Sequence, residues 1–147
     1  VNRLTFLSHF LLSLAVGAGA FLAWRAGALA AVWESDKSMM TSAIGALLIG
    51  TLAWLGRQAW RADDPERHYF KYNIDASFGH LSERLAVILG FVGTAIGLSL
   101  QAKALAGGSA SFDALATSLF TTASGGTAAG IIAVATYNLE VGLRRVR

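Results

Sequence analysis

The 147-residue chain has no cysteine, so neither a disulfide nor a thiolate metal site can form within it. It is also poor in charge: 14% of residues are Asp, Glu, Lys or Arg, against 54% apolar. That is too few ionisable groups to coat a soluble domain of this length. Charges are absent altogether from four blocks, residues 4–24, 38–56, 85–102 and 114–139. A helix needs about 20 residues to cross a hydrocarbon core, and each block meets or approaches that length. None alternates polar and apolar residues as a lipid-facing barrel strand would, which leaves helices. These absences predict an all-α, polytopic membrane protein with four transmembrane helices.

Placement of the basic residues predicts orientation. With helices at the four blocks, nine Lys and Arg fall on one side (Arg3, Arg57, Arg61, Arg67, Lys71, Arg84, Arg144, Arg145, Arg147) and three on the other (Arg25, Lys37, Lys103). Positive residues favour the cytoplasmic side, so both termini are expected there. Because these residues flank spans instead of forming one face, a nucleic-acid partner is not expected. Arg3 ahead of an apolar run, with Ala18-Gly19-Ala20 behind it, has features of a secretory signal. The run is longer than a typical signal core of about 7 to 15 residues, and a retained first helix is expected.

Residues 1–60 are read as two peripheral transmembrane helices, the first running to about Ala31 and the second from Met39 to about Trp60. Trp24, Trp54 and Trp60 are expected as interfacial anchors. Residues 61–80 are read as a short cytoplasmic connector. There Asp63-Asp64-Pro65-Glu66 signals a turn or helix start, and Tyr69, Phe70, Tyr72 and Phe78 among basic residues predict an amphipathic piece lying on the membrane surface or against a neighbouring subunit. Residues 81–147 form a hairpin of two spans with a basic tail. Gly107-Gly108-Ser109 ends its first helix near Ala106, and Ser109 or Ser111 caps the second, with Asp113 in the first turn. So short a connection makes the two helices antiparallel neighbours.

The hairpin carries small residues at helical spacing. Gly90, Gly93, Thr94, Gly97 and Gln101 share one face of its first helix. Ser118, Thr122, Gly125 and Ala129 form a stripe on its second, with Thr121, Ala128 and Ile132 beside it. Small residues let membrane helices approach closely, and packing alone explains any one of them. Hydroxyls at similar depth on adjacent helices can also line a polar path. Thr94 lies ten residues, about 15 Å, from Arg84, near the bilayer middle.

The segments Leu89-Gly90-Phe91-Val92-Gly93-Thr94-Ala95-Ile96-Gly97-Leu98, Ala116-Thr117-Ser118-Leu119-Phe120-Thr121-Thr122-Ala123-Ser124-Gly125 and Ala133-Val134-Ala135-Thr136-Tyr137-Asn138 resemble the two pore helices of the MotA/TolQ/ExbB proton-channel family. The resemblance covers residues 81–145. It implies an inner-membrane homo-oligomer, a pentamer, around a single-span partner whose membrane-embedded Asp takes up and releases the proton. Thr94 and Thr122 match the threonines that face this Asp. The distance to Tyr137-Asn138 leaves Thr121 as the alternative match, and Ser118 shares the implied ion pathway. Hydroxyls can donate to a carboxylate or hold water without adding a charge to the membrane. The third and fourth blocks contain no acidic residue, in keeping with a carboxylate supplied by a partner. The chain differs from typical members in lacking a mid-helix proline, with Gly130-Ile131-Ile132 in its place, and a large cytoplasmic region.

Glu83 lies at the inner mouth of the implied pore. His9 is expected at a membrane interface, and His68 and His80 lack metal-ligand spacing. No metal site or cofactor is expected. No nucleophile, base and orienting group come together, so an enzyme is not expected either. The function expected is proton conduction within an ion-driven motor or energiser complex. The rivals are a non-conducting helical scaffold and a holin-like pore-former.

Overall fold

The computed structural model describes residues 4–36, 38–63, 76–109 and 112–146. They form five helices and no strand: α1 (Leu4–Arg25), α2 (Ala28–Ser35), α3 (Met40–Ala62), α4 (Ser77–Ala106) and α5 (Phe112–Val146). Four of them, α1, α3, α4 and α5, are long and apolar enough to cross a membrane. The end where α1 and α4 start and α3 and α5 finish is called proximal below.

The centre of the bundle is the α4–α5 hairpin. A Cβ on Gly90 would lie 3.2 Å from Gly125 Cα, and one on Gly125 would lie 2.8 Å from Gly90 Cα and from the Ala86 carbonyl. On Gly97 it would meet Ser118 N at 2.7 Å and Ala114 O at 2.9 Å. The two backbones therefore touch, and the dispersion contacts so gained replace the hydrophobic drive that lipid does not supply. α3 fills the groove along this pair: Ile44 packs with Ala86, Ala128, Ala129 and Ile132. Nearer the proximal end, Leu55, Ala59 and Ala62 meet Ala135 and Leu139.

The expected first helix, running to about Ala31, is two helices. Gly27 adopts a left-handed conformation at φ 75°, which stops α1 at Arg25 and redirects the chain into α2. α1 is bound mainly at its proximal end. Phe6 N donates to the Asp63 carboxylate at 2.8 Å, Ser8 donates to Asn138 at 2.8 Å, and Phe6 meets Trp60 edge-on at 4.8 Å. His9, expected at a membrane interface, is buried within the chain, its Nε2 2.9 Å from the Leu52 carbonyl and packed over Gly56. The reason is local: Gly56 has no side chain, which opens a seat for the ring. Farther along α1 the chain leaves the bundle, and a Cβ on Gly17 or Gly19 would meet no other part of the chain within 4 Å.

α3 and α4 differ from expectation only at their ends. α3 runs two residues past Trp60, and α4 starts four residues before Leu81, taking Phe78 and His80 out of the expected connector. Phe78 packs on Trp54 with ring centroids 4.8 Å apart. The proposed amphipathic piece at Tyr69, Phe70 and Tyr72 lies outside the described residues. Ser109, expected to cap the second hairpin helix, instead closes α4, its hydroxyl donating to Ala104 O at 3.2 Å. Ser111 also lies outside the described residues.

Asp36 joins α2 to α3. Its carboxylate accepts from Ser38 N at 3.0 Å, the Ser38 hydroxyl at 2.6 Å and Thr41 N at 2.8 Å, satisfying a first-turn donor of α3. Burial pushes the Asp36 carboxyl up, but the hydrogen bonds from Ser38 and Thr41 outweigh it and hold the group below its ordinary range. A depressed folded-state value means that this contribution is complete above the unfolded value of about 3.9 and is lost as pH falls through the folded one. Asp36→Ala is expected to cost about 1 kcal/mol at neutral pH, measured by reversible unfolding in detergent.

The glycine contacts give a second expectation. Gly97→Ala puts a methyl group against backbone and should destabilise by about 1–3 kcal/mol. Gly130→Ala, with nothing within 4 Å, should change stability by less than about 1 kcal/mol in the same assay.

Candidate functional site

The residues singled out on the hairpin divide into an inward and an outward set. Gly90, Gly93, Gly97, Ser118, Thr121, Gly125, Ala128, Ala129 and Ile132 are buried. Thr94 is half-buried and Thr122 exposed, at the edge where the α4–α5 seam opens to the outside. Gln101 continues the α4 face, with its Oε1 buried and without a hydrogen-bond partner.

Thr121 and Thr122 are consecutive, so their side chains leave α5 about 100° apart. That angle separates their surroundings. Thr121 fills the notch left by Gly93, where a Cβ would lie 2.6 Å from Thr121 Cβ, and its hydroxyl donates to Thr117 O at 2.8 Å. Thr122 points past the seam and its hydroxyl meets that of Thr94.

The hydrogen count at this pair is informative. Thr94 Oγ1 lies 2.8 Å from Gly90 O, and Thr122 Oγ1 lies 2.8 Å from Ser118 O. Two hydroxyls carry two hydrogens for four contacts, counting the one between them and the longer one from Thr94 Oγ1 to Ser118 O at 3.4 Å. The contact between the hydroxyls must therefore borrow its hydrogen from a back-bond, and rotating either hydroxyl changes which one. Both oxygens also keep acceptor capacity. An outside carboxylate or water could take either hydrogen, since the back-bonds to the preceding turn are weak and local.

Depth and shape complete the site. Thr94 lies ten residues from Arg84 and nine from Lys103, about 15 and 14 Å along the axis, so it sits at the middle of an uncharged stretch. Immediately proximal, an open groove of about 120 Å³ is lined by Val87, Gly90, Phe91, Thr122 and Gly126. It has room for more than one water molecule, since one needs about 10–15 Å³.

Glu83 stands farther along the same hairpin, at the proximal end. There His80 Nε2 lies 2.9 Å from Glu140 Oε1, and His80 Nδ1 lies 3.8 Å from Glu83 Oε2. The i,i+3 spacing of His80 and Glu83 is readable in sequence; the 60-residue pairing with Glu140 requires the hairpin register. The described residues contain no group of three or more His, Cys, Asp or Glu placed to hold a metal ion.

No family model, curated protein or solved structure matches the chain. The site therefore stands on its own geometry.

Because Thr94 and Thr122 bond across the seam, their contributions to stability should be coupled. A double-mutant cycle with Thr94→Val and Thr122→Val, measured by unfolding in detergent, is expected to give about 0.6 kcal/mol and no more than about 1.7. A cycle of Thr94→Val with Thr127→Val, whose side chain is exposed on another part of α5, should give about zero.

Proposed function

We propose that this chain is the proton-conducting subunit of an ion-driven motor or energiser complex in a bacterial inner membrane, with both termini cytoplasmic. In this reading it forms a homo-oligomer, a pentamer by resemblance to the MotA/TolQ/ExbB family, around a single-span partner that carries the titrating Asp. The observation that carries the proposal is the Thr94–Thr122 hydroxyl pair. It lies at mid-span, on the open edge of the hairpin, beside a groove.

Polar groups in a membrane interior are costly and mark ion paths when they face a cavity or a partner. Residues 85–102 and 114–139 hold no carboxylate, so these spans offer hydrogen-bonding hydroxyls but no proton carrier of their own. An Asp on a neighbouring helix would be protonated on one side of the membrane, lose solvent as it meets the two hydroxyls, and deprotonate on the other. Thr121, buried against Gly93, is in this reading a packing residue, as are Gly90, Gly97, Gly125 and Ala129. Ser118 contributes its carbonyl, which accepts from Thr122 at 2.8 Å and lies 3.4 Å from Thr94 Oγ1.

One observation favours a non-conducting scaffold instead: each threonine hydroxyl already has an acceptor within the chain. Function separates the two readings. Thr94→Val combined with Thr122→Val should abolish proton-driven work in cells, with the oligomer still assembled and present in the membrane at normal abundance. Retention of full proton-driven function by that double variant would rule out conduction through this pair and leave the scaffold.

A further inference from the structure

Glu83, Val87, Gly90 and Thr94 recur along one line of α4. The eleven residues from Glu83 to Thr94 turn a helix three times with about 20° over, so the two side chains share a face. On α5 the eighteen residues from Thr122 to Glu140 make about five whole turns. The threonine pair and the proximal charged cluster thus lie on the same side of the hairpin. The groove lined by Val87, Gly90, Phe91, Thr122 and Gly126 starts beside the pair, and Val87 stands one turn from Glu83 on the same face.

In that cluster one imidazole stands between two carboxylates. His80 Nε2 is 2.9 Å from Glu140 and Nδ1 is 3.8 Å from Glu83, with the side chains 50%, 32% and 38% exposed respectively. Glu140 lies beyond His80 along the axis and reaches back to it, because helical side chains lean toward their own N-terminus. Going outward from mid-membrane, the order is Glu83, His80, Glu140. The neighbouring charges are Arg84 on α4 and Arg144 on α5, each one turn from a cluster member. α3 brings Arg57, Arg61 and Asp63 to this end, and Asp63 is held by Phe6 N.

We infer that Glu83, His80 and Glu140 form a proton relay at the proximal mouth of the path, an inference that rests on the conducting reading of Thr94 and Thr122. An imidazole passes a proton by accepting at one ring nitrogen and releasing from the other. With Nε2–H donated to ionised Glu140, the Nδ1 lone pair faces Glu83. A proton carried by groove water protonates the Glu83 carboxylate. The resulting acid passes the proton to Nδ1 through one bridging water, since 3.8 Å is too long for direct transfer; Nε2 passes its own proton to Glu140, and Glu140 releases it to solvent. One proton has moved, each group regains its charge, and no bond between heavy atoms forms or breaks. Exchange with solvent at the half-exposed ring restores the first tautomer.

The test uses the native complex, partner included, in liposomes that enclose a pH-sensitive dye, with proton flux driven by an imposed membrane potential. His80→Gln keeps an N–H for Glu140 but cannot relay, and Glu83→Gln removes the first acceptor. Each should lower flux by about tenfold or more with the complex assembled. Flux in His80→Ala should recover on adding free imidazole, which a merely structural tie between helix ends would not show. Wild-type flux in His80→Gln, or a loss in His80→Ala that imidazole does not relieve, overturns the relay. Flux that is abolished by Thr94→Val with Thr122→Val yet untouched by the His80 and Glu83 variants overturns the relay alone. Flux that survives the threonine double variant overturns both.

Discussion

Helices in a bilayer gain nothing by hiding apolar side chains from lipid, so α4 and α5 hold together by touching, and their backbones meet where at least one of them carries no side chain. Gly90 against Gly125, and Gly97 against the backbone of Ser118 and Ala114, are those places. Every other relation in the hairpin follows from the register they set. It places Thr121 in the notch at Gly93, Thr94 level with Thr122, and Gly79 beneath Thr136. Shifting one helix by a single residue would turn each of these contacts by about 100° and dissolve the threonine pair.

The spans and the hairpin were readable from sequence because they depend on composition and on three- and four-residue spacing, both local properties. The glycine stripe of α4 falls where its periodicity predicts, facing α5. Periodicity alone did not distinguish Thr121 from Thr122, since both border the same stripe. The close approach at Gly93 divides them, and that approach involves two helices at once. The pairings of Asn138 with Ser8, Asp63 with Phe6 and His80 with Glu140 span 130, 57 and 60 residues and leave no periodic mark. His9 illustrates the same limit. Its burial depends on Gly56, 47 residues away, and a lone histidine near a helix end carries no sign of that.

Polar bonds are used differently at the two ends of the molecule. At the proximal end they fasten α1 to α3 and α5, through Asp63, His9 and Asn138. At the distal end Asp36 closes the turn into α3, and the Ser35 carbonyl accepts from Thr117 at 2.5 Å. Midway along the two helices the Thr94–Thr122 pair lies on the open side of the seam, and neither residue contributes to the core beside α3. A hydrogen bond not required for fastening is one that another molecule can exchange without unfolding the hairpin.

The break at Gly27 gives the first third of the chain a mechanical character of its own. α1 and α2 together form an arch with one foot at His9 and the other at Ser35, and with its one left-handed residue, Gly27, near the crown. Within one copy of the chain the crown rests on nothing, as Phe21, Leu22, Trp24 and Leu29 are all exposed. Whatever covers those side chains lies outside this copy, acyl chains or an adjoining copy. The hairpin, by contrast, is closed on itself by backbone contact. One short chain thus joins a self-supporting pair of helices to an arch that leans on its surroundings.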